Sequence, residues 1–254
     1  MQQIDSLVTQ GYKEIVLTGS NIGAYQRNGV DLFQLVQMIL TRTPVERLRL
    51  TSLQAQEITP ELIALLRDSR LCRHVHLPLQ SGSDAVLHRT RRRYNVGDFR
   101  NAVHLLRHSI PDVAITTDLI VGFPGETEVE YAETEALCKD IGFARTHLFP
   151  YSPRPGTAAA SLPQRVDPKL VRARLAKMQE IARQSSQQFK EHFVGKFLSV
   201  LWERPVKGTS DLWSGLTDNY IRIFVRTDRD LSNQIILTRL VNTDTKGAWG
   251  ELQV

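Results

Sequence analysis

The chain has 254 residues, 41% hydrophobic and 23% charged, with a formal net charge of +5; this size holds one large α/β domain, or a smaller one with an appendage, without covalent staples. No apolar stretch approaches the ~20 residues needed to span a bilayer, and the N-terminus lacks the plan of a signal peptide, so a cytoplasmic location is expected. The two cysteines, Cys72 and Cys138, lie far apart without a CxxC grouping; they exclude a disulfide framework and are too few to hold an iron–sulfur cluster in the usual way.

In chain order, residues Ile4 to Gln10 read as the last turns of a helix ended by Gly11, followed by a strand over Glu14 to Thr18. Asp31 is placed to cap a helix over Leu32 to Leu40, whose Leu32, Leu35, Val36 and Ile39 share a face. Arg47 to Thr51 is a short strand, and Thr59-Pro60-Glu61 opens a helix with a capping residue and a first-turn proline. A strand over Arg73 to Leu77, a helix over Val96 to His108, a strand over Val113 to Val121, a helix over Glu128 to Ile141 and a strand over Arg145 to Phe149 complete five alternations. This predicts a parallel sheet with helical crossovers, bent into a partial or complete βα barrel.

Polar and glycine-rich residues follow each strand: Gly19 to Asn21, Thr51-Ser52, Gln80 to Ser83, Gly122 to Glu126, and Pro150-Tyr151-Ser152. In parallel α/β folds these edges converge on one face, where ligands bind. Thr116 to Thr127 is the clearest example: a β-branched run ends in Gly122-Phe123-Pro124-Gly125, and Thr127, Glu128 and Glu130 suit a helix N-terminus. Glycines there would let a ligand approach the backbone; an ordinary αβ connection reads the same way.

Beyond Tyr151 an extended connection leads to a helix over Lys169 to Phe193, with Val171, Leu175, Met178, Ala182, Ser185 and Phe189 on one stripe and Arg172, Arg174, Lys177, Arg183 and Lys190 on the other faces. Those cations read as a solvated face, with RNA contact as the alternative. From Val194 onward five short alternating strands predict a small β-barrel in the style of oligonucleotide-binding folds. Tyr220 or Trp213 is a candidate stacking platform there, and Arg222, Arg226, Arg229, Arg239 and Lys246 are available for phosphates. A purely structural barrel remains open. The expected organisation is residues 1–160 as an incomplete βα barrel, 161–193 as connection and basic amphipathic helix, and 194–254 as the β-barrel.

Four stretches resemble the radical S-adenosylmethionine (SAM) methylthiotransferases that modify adenosine 37 of tRNA: Leu17 to Tyr25, His76 to Asp84, Thr117 to Thr127, and Phe149 to Thr157. They occur in the family's order, and the likeness covers essentially the whole chain. Arg91-Arg92-Arg93-Tyr94 and Ala114 to Asp118 look most like the branch acting on N6-threonylcarbamoyladenosine rather than the isopentenyladenosine branch.

The resemblance implies a radical SAM barrel followed by a TRAM-like RNA-binding barrel, and a chemistry in which a [4Fe–4S] cluster reduces S-adenosyl-L-methionine so that a methylthio group replaces hydrogen at C2 of the adenine. The cluster's CxxxCxxC loop and the family's N-terminal cluster domain are not in the sequence. The chain is therefore expected to be a fragment, lacking the first strand and cluster loop and inactive alone, with no metal ligands and no assignable catalytic residue.

By the same resemblance, Gly19 and Asn21 face the methionyl end of the cofactor. Ser52 and Gln80 take its ribose or carboxylate. Ile120, Val121, Gly122 and Gly125 bring open backbone groups to its adenine. Arg93, Tyr151 and Arg154, with Tyr220 and Arg222 on the barrel, face the tRNA anticodon arm. His74, His76 and His147 read as packing or hydrogen-bonding residues before metal ligands. The competing functions are a non-catalytic RNA-binding protein and a methylthiotransferase acting on a ribosomal protein.

Overall fold

The structure is a computed structural model describing residues 1–19 and 21–253. In chain order it contains α1 (Gln2–Thr9), β1 (Glu14–Leu17), a hairpin of β2 (Gln26–Arg27) and β3 (Val30–Asp31), α2 (Leu32–Arg42), β4 (Arg47–Leu50), α3 (Pro60–Leu66), β5 (His74–His76), α4 (Asp84–Arg89) and α5 (Val96–Ser109). It continues with β6 (Ala114–Val121), α6 (Glu128–Ile141), β7 (Arg145–Pro150), α7 (Pro168–Glu191), β8 (Phe197–Pro205), β9 (Leu212–Thr217), β10 (Arg222–Arg226), β11 (Ile235–Thr243) and β12 (Ala248–Leu252). Among the described residues no helix is long and apolar enough to cross a membrane.

Capping chemistry starts the helices where the sequence places it. Asp31 and Gln34 form a reciprocal cap on α2, Thr59 accepts from the Leu62 N–H ahead of Pro60, and Thr127 pairs reciprocally with Glu130 on α6, which ends at left-handed Gly142.

β1 pairs in parallel with β4, and β5, β6 and β7 form a parallel trio. A parallel bridge between Leu48 and Leu71, and the Leu53 N–H on the His76 carbonyl, join the two groups. Each strand thus neighbours the next one in sequence, the order of a partial βα barrel rather than a doubly wound sheet. Alternation then sorts the side chains: Ile115, Leu119 and Val121 enter the apolar core beneath the helices, while Thr116, Asp118 and Ile120 share the other face with His74, His76 and His147.

The five C-terminal strands close into a barrel of order β10-β12-β11-β8-β9, sealed by a parallel β10–β12 contact. Its core is separate and centres on Trp202, Phe193, Val200, Ile223 and Leu240. Trp213 belongs to that core, so it is not a stacking platform.

The β9–β10 turn docks the β-barrel onto the N-terminal ends of the parallel strands. Arg49 makes a two-pronged contact with Glu14 at 2.8 and 3.1 Å, and also donates to the carbonyls of Thr217 and Asp218. Arg47 reaches the Ser199 hydroxyl at 2.7 Å and the Leu216 carbonyl at 3.2 Å. Arg73 holds the Asp218 carboxylate at 2.6 Å. The Tyr220 ring stacks on His74 with centroids 4.0 Å apart and planes 3° from parallel. The expectation of Tyr220 as a free RNA platform is corrected by this contact.

Two cations of α7 depart from the expected solvated face. Arg174 is buried, its guanidinium 2.8 Å from Glu126 and 2.9 Å from Glu128, and Lys190 is buried with its ammonium on the Asp244 carbonyl.

Candidate functional site

At the C-terminal ends of β5, β6 and β7 lies an open cleft of about 560 Å³. Gln80, Ile120, Tyr151 and Arg154, all expected site residues, line it together with Arg92, Asp118, Phe123 and Phe149. Three segments converge there because parallel strands deliver their following loops to one edge.

Backbone strain concentrates at the same edge. Ser52, just past β4, and Gln80, past β5, both adopt left-handed conformations with φ of 64° and 67°, a state that is sparsely populated for residues with a Cβ. The Gln80 backbone is pinned by its N–H on Asp118 and its carbonyl under the Ile120 N–H. Thr51 and Leu53, on either side of Ser52, donate to Leu17 and His76. Neighbouring strands therefore hold both residues in place. Gly19, Asn21 and Ser52 sit along this edge beside the cleft rather than in its lining; Ser20, inside the same motif, lies outside the described residues.

Among the described residues, two buried polar atoms along this edge have no protein partner. Asn21 precedes a short helical turn over Ile22–Ala24 without capping it, and its Oδ1 is buried and unbonded. The Tyr151 hydroxyl is likewise buried and unbonded, although its ring packs edge-on against Phe123 at 5.2 Å and its N–H is held by the Val121 carbonyl. An unpaired buried polar atom costs about 1–3 kcal/mol, so each is placed to gain from a polar ligand.

The glycine turn after β6 does not have its expected role. Gly122 has φ of 79°, its N–H is taken by the Glu126 carboxylate at 2.9 Å, and an added Cβ would lie 2.4 Å from the Val171 side chain. Gly125, with φ of 75°, donates to the Gln164 carbonyl and accepts from Arg89. These glycines let the turn close onto α7 and its preceding segment, leaving neither N–H open to a ligand. Val121 points into the helix-side core by strand alternation. The wall of the cleft is the Ile120 and Phe123 side chains.

On the substrate side, Arg93 is exposed and outside the lining, and its neighbour Arg92 occupies the cleft instead. The run Arg91-Arg92-Arg93 gave no basis for choosing between them. Arg154 lines the rim from an exposed position. Arg222 lies on the β-barrel, paired with Glu203. Asp118 and Phe149 were legible only by counting along β6 and β7 from Ile120 and Pro150.

Below the cleft runs a polar line. His76 lies 3.4 Å from Asp118, and the Thr116 hydroxyl bridges the His76 and His74 rings at 3.0 and 2.9 Å. Burial favours the neutral Asp118 carboxyl, yet the His76 contact and the charges of His147 and Arg92 outweigh it and bring the group below its ordinary value. Burial, then Arg49 and the neighbouring cations, holds the His74 imidazole well below its usual range. His147 is lowered by burial and by Arg145.

The residues present fit S-adenosylmethionine in part: the unpaired Asn21 Oδ1 and Tyr151 hydroxyl, Gln80 and the Ile120 wall offer polar and apolar contacts to a nucleoside and an amino acid. They do not fit a [4Fe–4S] cluster. Cys72 and Cys138 are both buried, burial pushes each thiol up to about 12, and they lie on separate elements. Among the described residues no group of three or more His, Cys, Asp or Glu is arranged to hold a metal.

The sequence profile of the Radical SAM superfamily matches residues 1–138. The chain is 35% identical over 247 residues to the threonylcarbamoyladenosine tRNA methylthiotransferase MtaB of Bacillus subtilis, which covers 95% of this chain and 55% of that protein. It is 34% identical over 262 residues to the tRNA-2-methylthio-N(6)-dimethylallyladenosine synthase of Symbiobacterium thermophilum, covering 99% of this chain and 56% of that one. The chain thus spans about half the length of the curated relatives it matches. Among solved structures, coproporphyrinogen III oxidase (HemN) of Escherichia coli, a radical SAM enzyme, superposes with a TM-score of 0.56 at 17% identity, over 70% of this chain and 42% of that one; that likeness concerns the fold alone. With a profile match over more than half its length, the chain belongs to the radical SAM superfamily, and the tRNA methylthiotransferases are similar to it along almost all of its length.

Proposed function

We propose that this chain supplies the cofactor-facing cleft and the RNA-facing barrel of a methylthiotransferase that adds a methylthio group to C2 of N6-threonylcarbamoyladenosine at position 37 of tRNA. The observation that carries this reading is the cleft at the strand ends, where Arg92 and Arg154 stand over Gln80, Ile120 and Tyr151. The names of the relatives divide between two substituents. Threonylcarbamoyl bears a carboxylate and a hydroxyl, whereas dimethylallyl is a branched hydrocarbon. Two guanidinium groups at one opening suit the carboxylate, because arginine pairs with it through two parallel hydrogen bonds. In this reading Gly19, Asn21, Ser52, Gln80 and Ile120 face S-adenosylmethionine, and Tyr151, Arg92 and Arg154 face the nucleoside. When bound, that cofactor supplies the methyl group and the adenosyl radical.

The test is binding of anticodon stem–loop RNAs carrying threonylcarbamoyladenosine, dimethylallyladenosine or plain adenosine. The first is expected to bind about tenfold more tightly than the second, a difference of about 1.4 kcal/mol, and Arg92→Ala or Arg154→Ala is expected to erase that preference. Equal affinity for the two modified RNAs would sink the threonylcarbamoyl assignment.

A second reading, RNA binding without catalysis, is favoured by the two buried cysteines and their suppressed thiolates. Calorimetric titration with S-adenosylmethionine separates the two: saturable binding by this chain, weakened by Tyr151→Phe, would remove the reading of RNA binding alone.

A further inference from the structure

A second cavity, of about 270 Å³, lies where α7, the start of β7 and the β-barrel meet. Arg145, Lys190, Arg222 and Lys246 reach its wall, and no carboxylate side chain does. The nearby acids are already engaged. Glu203 pairs with Arg222. The Asp244 carboxylate is turned into its own loop, accepting from the N–H groups of Lys246 and Gly247 and from Trp249 Nε1 at 2.7, 2.9 and 3.2 Å. Among the described residues Lys190 hydrogen-bonds only a backbone carbonyl, and burial lowers its ammonium below the ordinary value against the opposing charges of Asp244 and Glu191. Arg145 and Lys246 are exposed at the mouth.

Three cations without a carboxylate partner around one concavity repel one another, and the low-dielectric wall strengthens that repulsion. An anion at the centre would relieve it. A cavity of this size admits a sugar–phosphate unit but not a folded protein segment. The barrel wall reaches the pocket through Ile221 and Arg222, and β7 runs from it to the cleft, since Arg145, His147 and Phe149 lie along one face of that strand. Four residues of strand amount to roughly 13 Å, about two nucleotide steps of extended RNA.

We propose that this junction pocket grips one phosphate of the RNA backbone between the cleft and the β-barrel, with Arg145 and Lys246 as its outer clamp. The proposal rests on the RNA reading given above and adds a site to it.

The test uses the full chain and a labelled anticodon stem–loop RNA, with affinity measured at rising potassium chloride. Each lost phosphate contact lowers the slope of log affinity against log salt by about 0.7–0.9. Arg145→Gln with Lys246→Gln releases that one phosphate and is therefore expected to cut the slope by about 0.7–0.9 and to weaken binding several-fold at low salt. Lys246→Glu alone is expected to weaken it further than Lys246→Gln, and Arg100→Gln on α5, remote from the pocket, is expected to leave the slope intact. Since both clamp side chains are exposed, circular dichroism should report folded variants. An unchanged slope in the double variant, with wild-type binding present, overturns the junction site and leaves the RNA reading standing. A wild-type chain that binds no RNA overturns both. Orthophosphate titrated at constant ionic strength distinguishes the source: displacement of orthophosphate by the double substitution, without any change in the RNA slope, assigns the pocket to free phosphate and overturns the RNA assignment.

Discussion

The two ends of the parallel strands carry the same kinds of residue under opposite conditions. At the N-terminal end Arg47, Arg49 and Arg73 each have defined acceptors on the β-barrel and Tyr220 has a ring to stack on, while His74 Nδ1 and Asn219 Nδ2 are sealed inside the contact without partners. At the C-terminal end the Tyr151 hydroxyl and Asn21 Oδ1 are buried without partners, and two residues sit in left-handed backbone. Saturated polar groups hold a structure together; unsaturated ones, kept in place by their surroundings, are available to a ligand. Residue type alone separates neither class. Two things do: whether the charged groups are already paired, and whether an unpaired atom borders an open cleft.

Four substitutions sharpen this contrast. Arg49→Ala leaves buried Glu14 with only the longer 3.7 Å ion pair to Arg47 and cuts the Arg49 tether to the barrel; it is expected to destabilise by about 3 kcal/mol, read by denaturant unfolding. A loss below 1 kcal/mol would mean that the docking end is not saturated in solution. Next comes the latch behind the cleft, where Glu130 makes a fork of 2.7 and 2.8 Å with Arg89 and also caps α6. The Arg89 contact, followed by the capping N–H, lowers the Glu130 carboxyl from near 4.5 to about 2. A depressed folded-state value adds stability above the unfolded value, lost as pH falls through that window. Stability should therefore drop by about 1–2 kcal/mol between pH 4.5 and 2, after discounting for the partly exposed Arg89, and Glu130→Gln should flatten the drop. Tyr220→Ala removes the stack on His74 and is expected to cost about 0.5–1.5 kcal/mol beyond the lost area, with a domain-contact signal visible in hydrogen exchange at β5. The smallest loss of stability belongs to the cleft. Tyr151→Phe should cost no stability and should raise it by up to about 1–3 kcal/mol, because it deletes a buried hydroxyl without a partner, yet weaken S-adenosylmethionine or nucleoside binding measured by calorimetry. Destabilisation by 2 kcal/mol would show that the hydroxyl is structural.

Periodicity and caps made most elements readable. The Asp31, Thr59 and Thr127 caps start helices where their side chains can accept a backbone N–H, and five apolar runs became the five parallel strands. The hairpin at residues 26–31 went unread despite its signal: Asn28-Gly29 takes up positive φ at both positions, the preference of a tight two-residue turn. Other misses depended on distant partners. Arg174 sits on the polar side of its helix by sequence, but Glu126 lies 48 residues earlier and draws it inside. Gly122 reads as a ligand turn until Val171 is known to pack against it. Arg92 and Arg93 are equivalent in composition, and only the path of the chain after α4 gives one of them the cleft.

The Thr116 hydroxyl has one proton to give, and two imidazoles lean on it. Its oxygen can accept from both rings, but its proton can go to only one, so at least one ring donates. If a neutral His76 presents its N–H to Asp118, its Nδ1 accepts from Thr116, which obliges His74 to donate through Nε2. That choice leaves His74 Nδ1 as a bare lone pair, in keeping with its buried and unbonded state. The line of side chains thus has a polarity: every hydrogen points from the barrel contact toward the carboxylate at the cleft. Nitrogen chemical shifts of the two rings would display it, both as Nε2–H tautomers, and a substitution at Thr116 that removes the hydroxyl would let the two rings choose independently.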